Sequence, residues 1–281
     1  MSCLQQYLLP KKMITLLMGL LANCKLPWLK NFFIQHFIQQ YAVDMRLALE
    51  EEPTAYPCFN DFFIRHLKPN LRPVSSTGLV SPVDGVLSQF GRLDKGVFIQ
   101  AKGHQYLIDE LLACEKSEAE IFHCGQFATF YLSPKDYHRI HMPIDGQLQK
   151  MIYVPGQLFS VQPATAKGIP KLFARNERLV IFFDTPLGSM AMILVGAVIV
   201  GAMNTVWHGD VQRCKKRKVF DYRTANNAQW ILSRGEEMGH FKLGSTVILA
   251  FAEGHRITWL PTLGTGSEVI FGQKLADIML K

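Results

Sequence analysis

The sequence predicts an α+β protein, with a helical membrane-associating N-terminal region (residues 1–74, including a linker) on a mainly antiparallel β core (residues 75–281). Three observations carry this. The first 43 residues contain no Asp or Glu and hold two stretches with helical character. A segment from 50 to 73 is broken by Pro53, Pro57, Pro69 and Pro73. Beyond Ser75 the chain becomes short β-prone runs separated by Gly, Pro, Asp or Asn, the punctuation of strands.

The first helical stretch holds the apolar run 13–21, behind Lys11 and Lys12. It is well short of the roughly 20 residues that a spanning helix needs. Residues 21–24 have the outline of a lipoprotein cleavage site, but Asn23 stands where a small residue belongs, so no cleavage is expected. After Pro27, Leu29, Phe32, Phe33, Phe37 and Tyr41 share one helical face, opposite Asn31, Gln35 and Gln39. Periodicity alone fits packing on the protein's own core as well as it fits a membrane surface. The acid-free flanks and the apolar run favour a helix lying on an anionic bilayer. A short helical piece follows at 59–67, then the linker. Strands are expected at 80–90, 127–132, 148–154, 178–184, 190–203 and 246–251, with helical turns at 108–114 and 116–122. The run 190–203, with Gly196 and Gly201, reads as fully buried strand and is too short to span.

Composition narrows the function. A chain of 281 residues, 48% of them hydrophobic, has ample material for a core, which excludes general disorder. The net charge of +7 favours a polyanionic partner, and a mean hydropathy of +0.09 directs attention to lipid. The six cysteines form no CxxC pair, against a disulfide framework or zinc finger and in favour of a reducing compartment. Arg213, Lys215, Lys216, Arg217 and Lys218 form a basic run without interleaved aromatics. A solvated loop is the first reading of it, lipid head groups the second and nucleic acid the third; no nucleic-acid partner is expected.

Three stretches carry residues capable of chemistry. Asp84 lies in Ser-Pro-Val-Asp-Gly, by itself an ordinary turn. His138 and His141 stand three apart between Pro134 and Pro143, a weak metal signal with no third ligand at a diagnostic distance, so no metal is assigned. Ser245 follows Gly244 and enters an apolar strand, where its hydroxyl needs a partner or a task. It is not a hydrolase elbow, because Leu243 occupies the first glycine position. Together Asp, His and Ser are the parts of a charge-relay triad.

On these residues the chain resembles the bacterial, pyruvoyl-dependent phosphatidylserine decarboxylases. The resemblance runs through Val-Asp-Met at 43–45, Phe-Asn-Asp-Phe-Phe-Ile-Arg at 59–65, Pro-Val-Asp-Gly at 82–85, Gln-Ala-Lys-Gly-His at 100–104, Tyr-His-Arg-Ile-His-Met-Pro at 137–143, Phe-Ala-Arg-Asn-Glu-Arg at 173–178 and Phe-Lys-Leu-Gly-Ser-Thr at 241–246. It fades between 212 and 234.

The resemblance implies a proenzyme that cuts itself between Gly244 and Ser245 into a β chain (1–244) and an α chain (245–281). His141 would take the proton of Ser245, Asp84 would hold and charge His141, and Ser245 would attack the Gly244 carbonyl beside it, helped by proximity. The ester then breaks by β-elimination, and the former Ser245 loses ammonia to become a pyruvoyl group, the covalent cofactor. This group would form a Schiff base with the amine of phosphatidylserine and take up the electrons as CO2 leaves, giving phosphatidylethanolamine. His138 would assist decarboxylation or return the proton. Arg139, Lys242 and His104 are candidates for substrate phosphate or carboxylate. The expected partners are an anionic membrane surface, at the cytoplasmic face of the inner membrane, and the two chains themselves, as a heterodimer or a dimer of heterodimers. The competing readings are a serine hydrolase using Asp84, His141 and Ser245 on an external substrate, a non-catalytic membrane-binding module, and an HxxH metalloenzyme.

Overall fold

The computed structural model describes residues 6, 11–101, 103–198, 203–223, 230–242, 245–252 and 256–279. Its N-terminal part is helical: α1 (Lys11–Ala22), α2 (Pro27–Tyr41) and α3 (Phe59–Phe63). Pro27 occupies the first turn of α2, where its missing N–H costs nothing. Ala42 ends the helix in a left-handed conformation. One stripe of α2 is buried against α3: the Phe37 ring meets Phe59, Phe62 and Phe63 edge-on at 5.1–5.9 Å. Ile34 lies fully inside this cluster, with Phe33 and Tyr41 packed beside it. The aromatic face read from the sequence therefore divides. Phe33, Phe37 and Tyr41 turn to the protein, while Phe32 faces outward, 61% exposed; Trp28, not part of that reading, is 70% exposed. On α1 the apolar residues Met13, Leu16, Leu17 and Leu20 are all exposed. Among the described residues no helix is long and apolar enough to cross a membrane.

The remainder is built on strands. The chain forms β1 (Leu79–Val80), β2 (Gly85–Arg92), β3 (Val97–Ala101) and β4 (His104–Leu107), then the short helices α4 (Ile108–Leu112) and α5 (Lys116–Glu120). Next come β5 (Gln126–Leu132), β6 (Arg139–His141) and β7 (Gly146–Val154), followed by α6 (Pro163–Ala166) and α7 (Leu172–Arg175). A run of strands follows: β8 (Arg178–Thr185), β9 (Gly188–Val195), β10 (Met203–Thr205), β11 (Gly209–Val211), β12 (Lys218–Asp221) and β13 (Ile231–Leu232). The last are β14 (Glu237–Phe241), β15 (Ser245–Phe251), β16 (Arg256–Trp259), β17 (Ser267–Val269) and β18 (Lys274–Met279).

The largest sheet runs β12-β7-β8-β9-β15-β5-β2-β17, with β13 also on β7. A four-stranded sheet runs β11-β10-β14-β6, and β1-β18-β16 and β3-β4 form two smaller ones. Neighbours pair antiparallel throughout these described sheets. The large sheet is covered on both faces. Along β15, Val247, Leu249 and Phe251 join one core cluster and Ile248 and Ala250 the other. The central strands therefore read as unbroken apolar runs rather than as alternation.

Two details differ from the sequence reading. The run 80–90 breaks at residues 81–84, so that Asp84 stands at the mouth of β2 rather than inside a strand. Within the run 190–203, β9 ends at Val195, where the Gly196 N–H turns to the carbonyl of Glu177 at 2.8 Å, and Met203 opens β10. Gly201 lies outside the described residues.

Candidate active site

Two chain crossings build the site. β5 ends at Leu132, directly opposite Ser245 at the start of β15. From Leu132 the chain turns through residues 133–138 into β6, in the four-stranded sheet. β14 lies on β6, pairing Glu237 with His141 and His240 with Arg139, and then leads back towards Ser245. Both crossings pass between the same two sheets side by side, and the Phe241 N–H reaches the carbonyl of His138 at 3.2 Å. The histidine pair is thus brought beside the segment that leads into Ser245. Leu243, Gly244 and the Ser245 side chain lie outside the described residues.

The turn is pinned by two arginines. Arg65 donates to the Lys135 carbonyl at 2.9 Å. Arg139 donates to the Ile64 carbonyl at 2.8 Å and to Glu237 at 2.6 Å. Arg139, a candidate for holding substrate, is thereby engaged as a strut between α3 and β14. Gly85 closes the other side. A Cβ there would come within 2.4 Å of the Tyr131 carbonyl oxygen, so glycine lets β2 approach β5 immediately after Asp84.

His138 is fully buried, its ring 4.1 Å from that of Phe63. Nδ1–H donates to the Asp136 carbonyl at 2.8 Å, which leaves Nε2 as the bare acceptor. Nε2 is buried with no hydrogen-bond partner among the described residues. Burial pushes the ring's pKa down to about 3, the Asp136 carbonyl opposing this. His141 lies face to face with Phe271 at 3.6 Å. Its Nδ1–H donates to the Gly235 carbonyl at 2.9 Å, and its Nε2 accepts from the Tyr137 hydroxyl at 3.1 Å. Burial takes its pKa down to about 4. Both rings are neutral near pH 7, the form that accepts a proton.

Asp84 is not hydrogen-bonded to His141. Its carboxylate accepts from Arg72 at 2.8 Å and from the Phe271 N–H at 2.7 Å. Phe271 therefore lies between them, its backbone on Asp84 and its ring on His141. Sequence reasoning missed Tyr137, Arg72, Gly235 and Phe271. Tyr137 stood within the histidine motif and carried a signal; the other three are brought in only by tertiary structure. Of the remaining candidates, Lys242 pairs with Asp210 at 2.5 Å, and His104, on the separate β3–β4 hairpin, bonds to the Lys167 carbonyl at 3.2 Å. Among the described residues no group of three or more His, Cys, Asp or Glu is placed to hold a metal ion.

The two depressed histidines set a pH dependence. Each titrates near 6.5 when unfolded, so below that pH the unfolded chain binds more protons than the fold. Stability is full above pH 6.5 and falls towards pH 4, by about 1.4 kcal/mol per pH unit for each ring. Urea unfolding at pH 7, 6 and 5 will show this slope, and His138→Asn will roughly halve the part due to the pair. An identical slope in the variant would exclude His138 as a source.

A family model described as phosphatidylserine decarboxylase matches residues 59–277, and another, described as PSD, matches residues 1–42. The chain belongs to the phosphatidylserine decarboxylase family. A phosphatidylserine decarboxylase proenzyme of Legionella pneumophila (strain Corby) is 56% identical over 99% of this chain and 98% of its own length. Proenzymes of the same name from Stutzerimonas stutzeri (strain A1501) and Bordetella avium (strain 197N) are 52% and 50% identical, over 98% and 96% of this chain and 93% and 92% of their own lengths. The family match takes in both crossings and the helical motif at 59–65 that pins them, and the second model covers α1 and α2.

Proposed function

We propose that this chain is a membrane-surface phosphatidylserine decarboxylase that cuts itself at Gly244–Ser245, with His141 and Asp84 serving the cut and His138 the decarboxylation. The reaction converts phosphatidylserine to phosphatidylethanolamine and CO2. The observation that carries the division of labour is the bare, buried Nε2 of His138, a residue whose backbone carbonyl accepts from Phe241 on the strand that leads towards Ser245.

His141 is neutral, with its Nδ1 proton fixed on Gly235, so Nε2 is the atom able to take the Ser245 proton once Tyr137 releases it. Asp84 contributes negative charge that favours the protonated ring, acting past Phe271 rather than through a direct bond. Cleavage divides the protein between residues 1–244 and 245–281, which remain interleaved because β15 is central in the large sheet. A pyruvoyl group left at residue 245 would supply a sink for the electrons released with CO2. The orphaned acceptor at His138 fits a site where a proton has to be held and passed on. Leu16, Leu17, Leu20, Trp28 and Phe32, exposed on two helices free of acidic residues, suit a peripheral position on an anionic bilayer, read as the cytoplasmic face of the inner membrane.

The decisive test is the intact mass of wild type and Ser245→Ala under denaturing conditions. Wild type should give two fragments, the smaller of about 4 kDa and blocked at its amine, and the variant one chain of 31.9 kDa. A single chain from both proteins would overturn the proposal and put the serine hydrolase first.

A further inference from the structure

The basic run at 213–218 takes no part in the chemistry above, yet it does not stand alone. A groove of about 900 Å³ separates α1 from the turn at 210–215. One wall is apolar, formed by Leu16 and Leu20, which are 68% and 66% exposed. The other carries the exposed Lys215, and the floor reaches Lys242, three residues before Ser245. Asn60 also lines the groove. It is buried, its Nδ2 donates to Asn23 at 2.8 Å, and its Oδ1 has no partner.

We propose that the groove between α1 and the 210–215 turn takes one anionic glycerophospholipid from the bilayer, its acyl chains along Leu16 and Leu20 and its phosphate against Lys215. The chemistry of the two walls selects this occupant. An apolar wall alone suits any acyl chain, and a cation alone suits any anion. The two facing each other, on the helix that the proposed function lays on the membrane, suit a molecule with both parts. The groove then leads the polar head from the surface towards Lys242. The surrounding charges are mixed: Lys242 is paired with Asp210, and Arg213 with Glu177. Lys215 is exposed at the surface of the 210–215 segment. Residues 216–218 extend the positive edge beyond the groove, where they meet the bilayer rather than the single lipid.

This inference rests on the membrane reading, and its test separates the two. Processed wild-type protein is photolysed with vesicles of phosphatidylcholine containing a phosphatidylserine with a diazirine in its acyl chain, and the adducts are mapped by mass spectrometry. Adducts at Leu16, Leu20 and within 210–215, suppressed by unlabelled phosphatidylserine, are expected. Suppression by phosphatidylglycerol as well would assign the groove to anionic lipid in general, and suppression by phosphatidylserine alone to the substrate. Adducts confined to the Trp28 and Phe32 face would overturn the groove while leaving membrane binding intact. As a second arm, Lys215→Glu should still cleave itself and raise KM for soluble dihexanoyl phosphatidylserine about tenfold with kcat little changed, the pattern of lost uniform binding. Unchanged KM would also defeat the proposal. Loss of vesicle sedimentation by wild type would instead count against the membrane reading beneath it.

Discussion

His138→Asn is expected to give a protein that cuts itself into two chains as wild type does, yet decarboxylates about 100- to 10,000-fold more slowly, the range usual for loss of a positioned acid or base. Asparagine is chosen because its amide N–H can replace Nδ1–H towards the Asp136 carbonyl, so the turn keeps its hydrogen bond. What disappears is Nε2, the acceptor that is buried without a partner. The loss should fall on kcat, because the ring is neutral and buried among Phe63 and Arg65 rather than offered as a charge to the substrate. Gel separation of the two chains reads the first half of the prediction, and release of labelled CO2 the second. A variant that remains a single chain would move His138 into the self-cleavage step. One that decarboxylates normally would reduce His138 to a packing residue against Phe63.

The strands of the large sheet were legible because both faces are covered, which turns each strand into an apolar run bounded by turn residues; 127–132, 148–154 and 178–184 fall almost where β5, β7 and β8 lie. The run 190–203 is not one strand: β9 ends at Val195, where Gly196 leaves the sheet to bond Glu177, an exit that composition does not mark. The faces of α2 were only half legible. Helical spacing groups Phe32 with Phe33, but neighbours differ by about 100° in direction, and Phe59, Phe62 and Phe63 select which of the two is covered. In the site, the residue types and their motif spacing were visible, and the convergence of the β5–β6 and β14–β15 crossings was not. The direct Asp84–His141 bond expected from triad logic is replaced by an arrangement through Phe271, 187 residues away from Asp84 in the chain. No local pattern announces such a partner.

That arrangement makes the pair of substitutions His141→Ala and Asp84→Asn informative. His141→Ala is expected to remain a single chain throughout storage, because no other neutral imidazole takes its place beside Tyr137 and Gly235. Asp84→Asn should behave differently. Its amide oxygen can still accept from the Phe271 N–H, so the ring stack on His141 persists while the negative charge is lost. What the enzyme then lacks is electrostatic support for the protonated histidine. Self-cleavage should slow by about 100-fold or more without being abolished, as expected when a general base loses charge support but keeps its place. The loss of the Arg72 partner should also lower stability, since an arginine 15% exposed at its side chain is left facing an uncharged amide. A time course of chain splitting after synthesis, alongside thermal unfolding of the intact fraction, separates the two effects. Cleavage of Asp84→Asn at the wild-type rate, with only its melting temperature reduced, would show that Asp84 holds Phe271 and Arg72 in place and contributes nothing to the base. Equal and complete arrest in both variants would instead mean that Asp84 reaches His141 directly during the reaction, after Phe271 has moved out from between them.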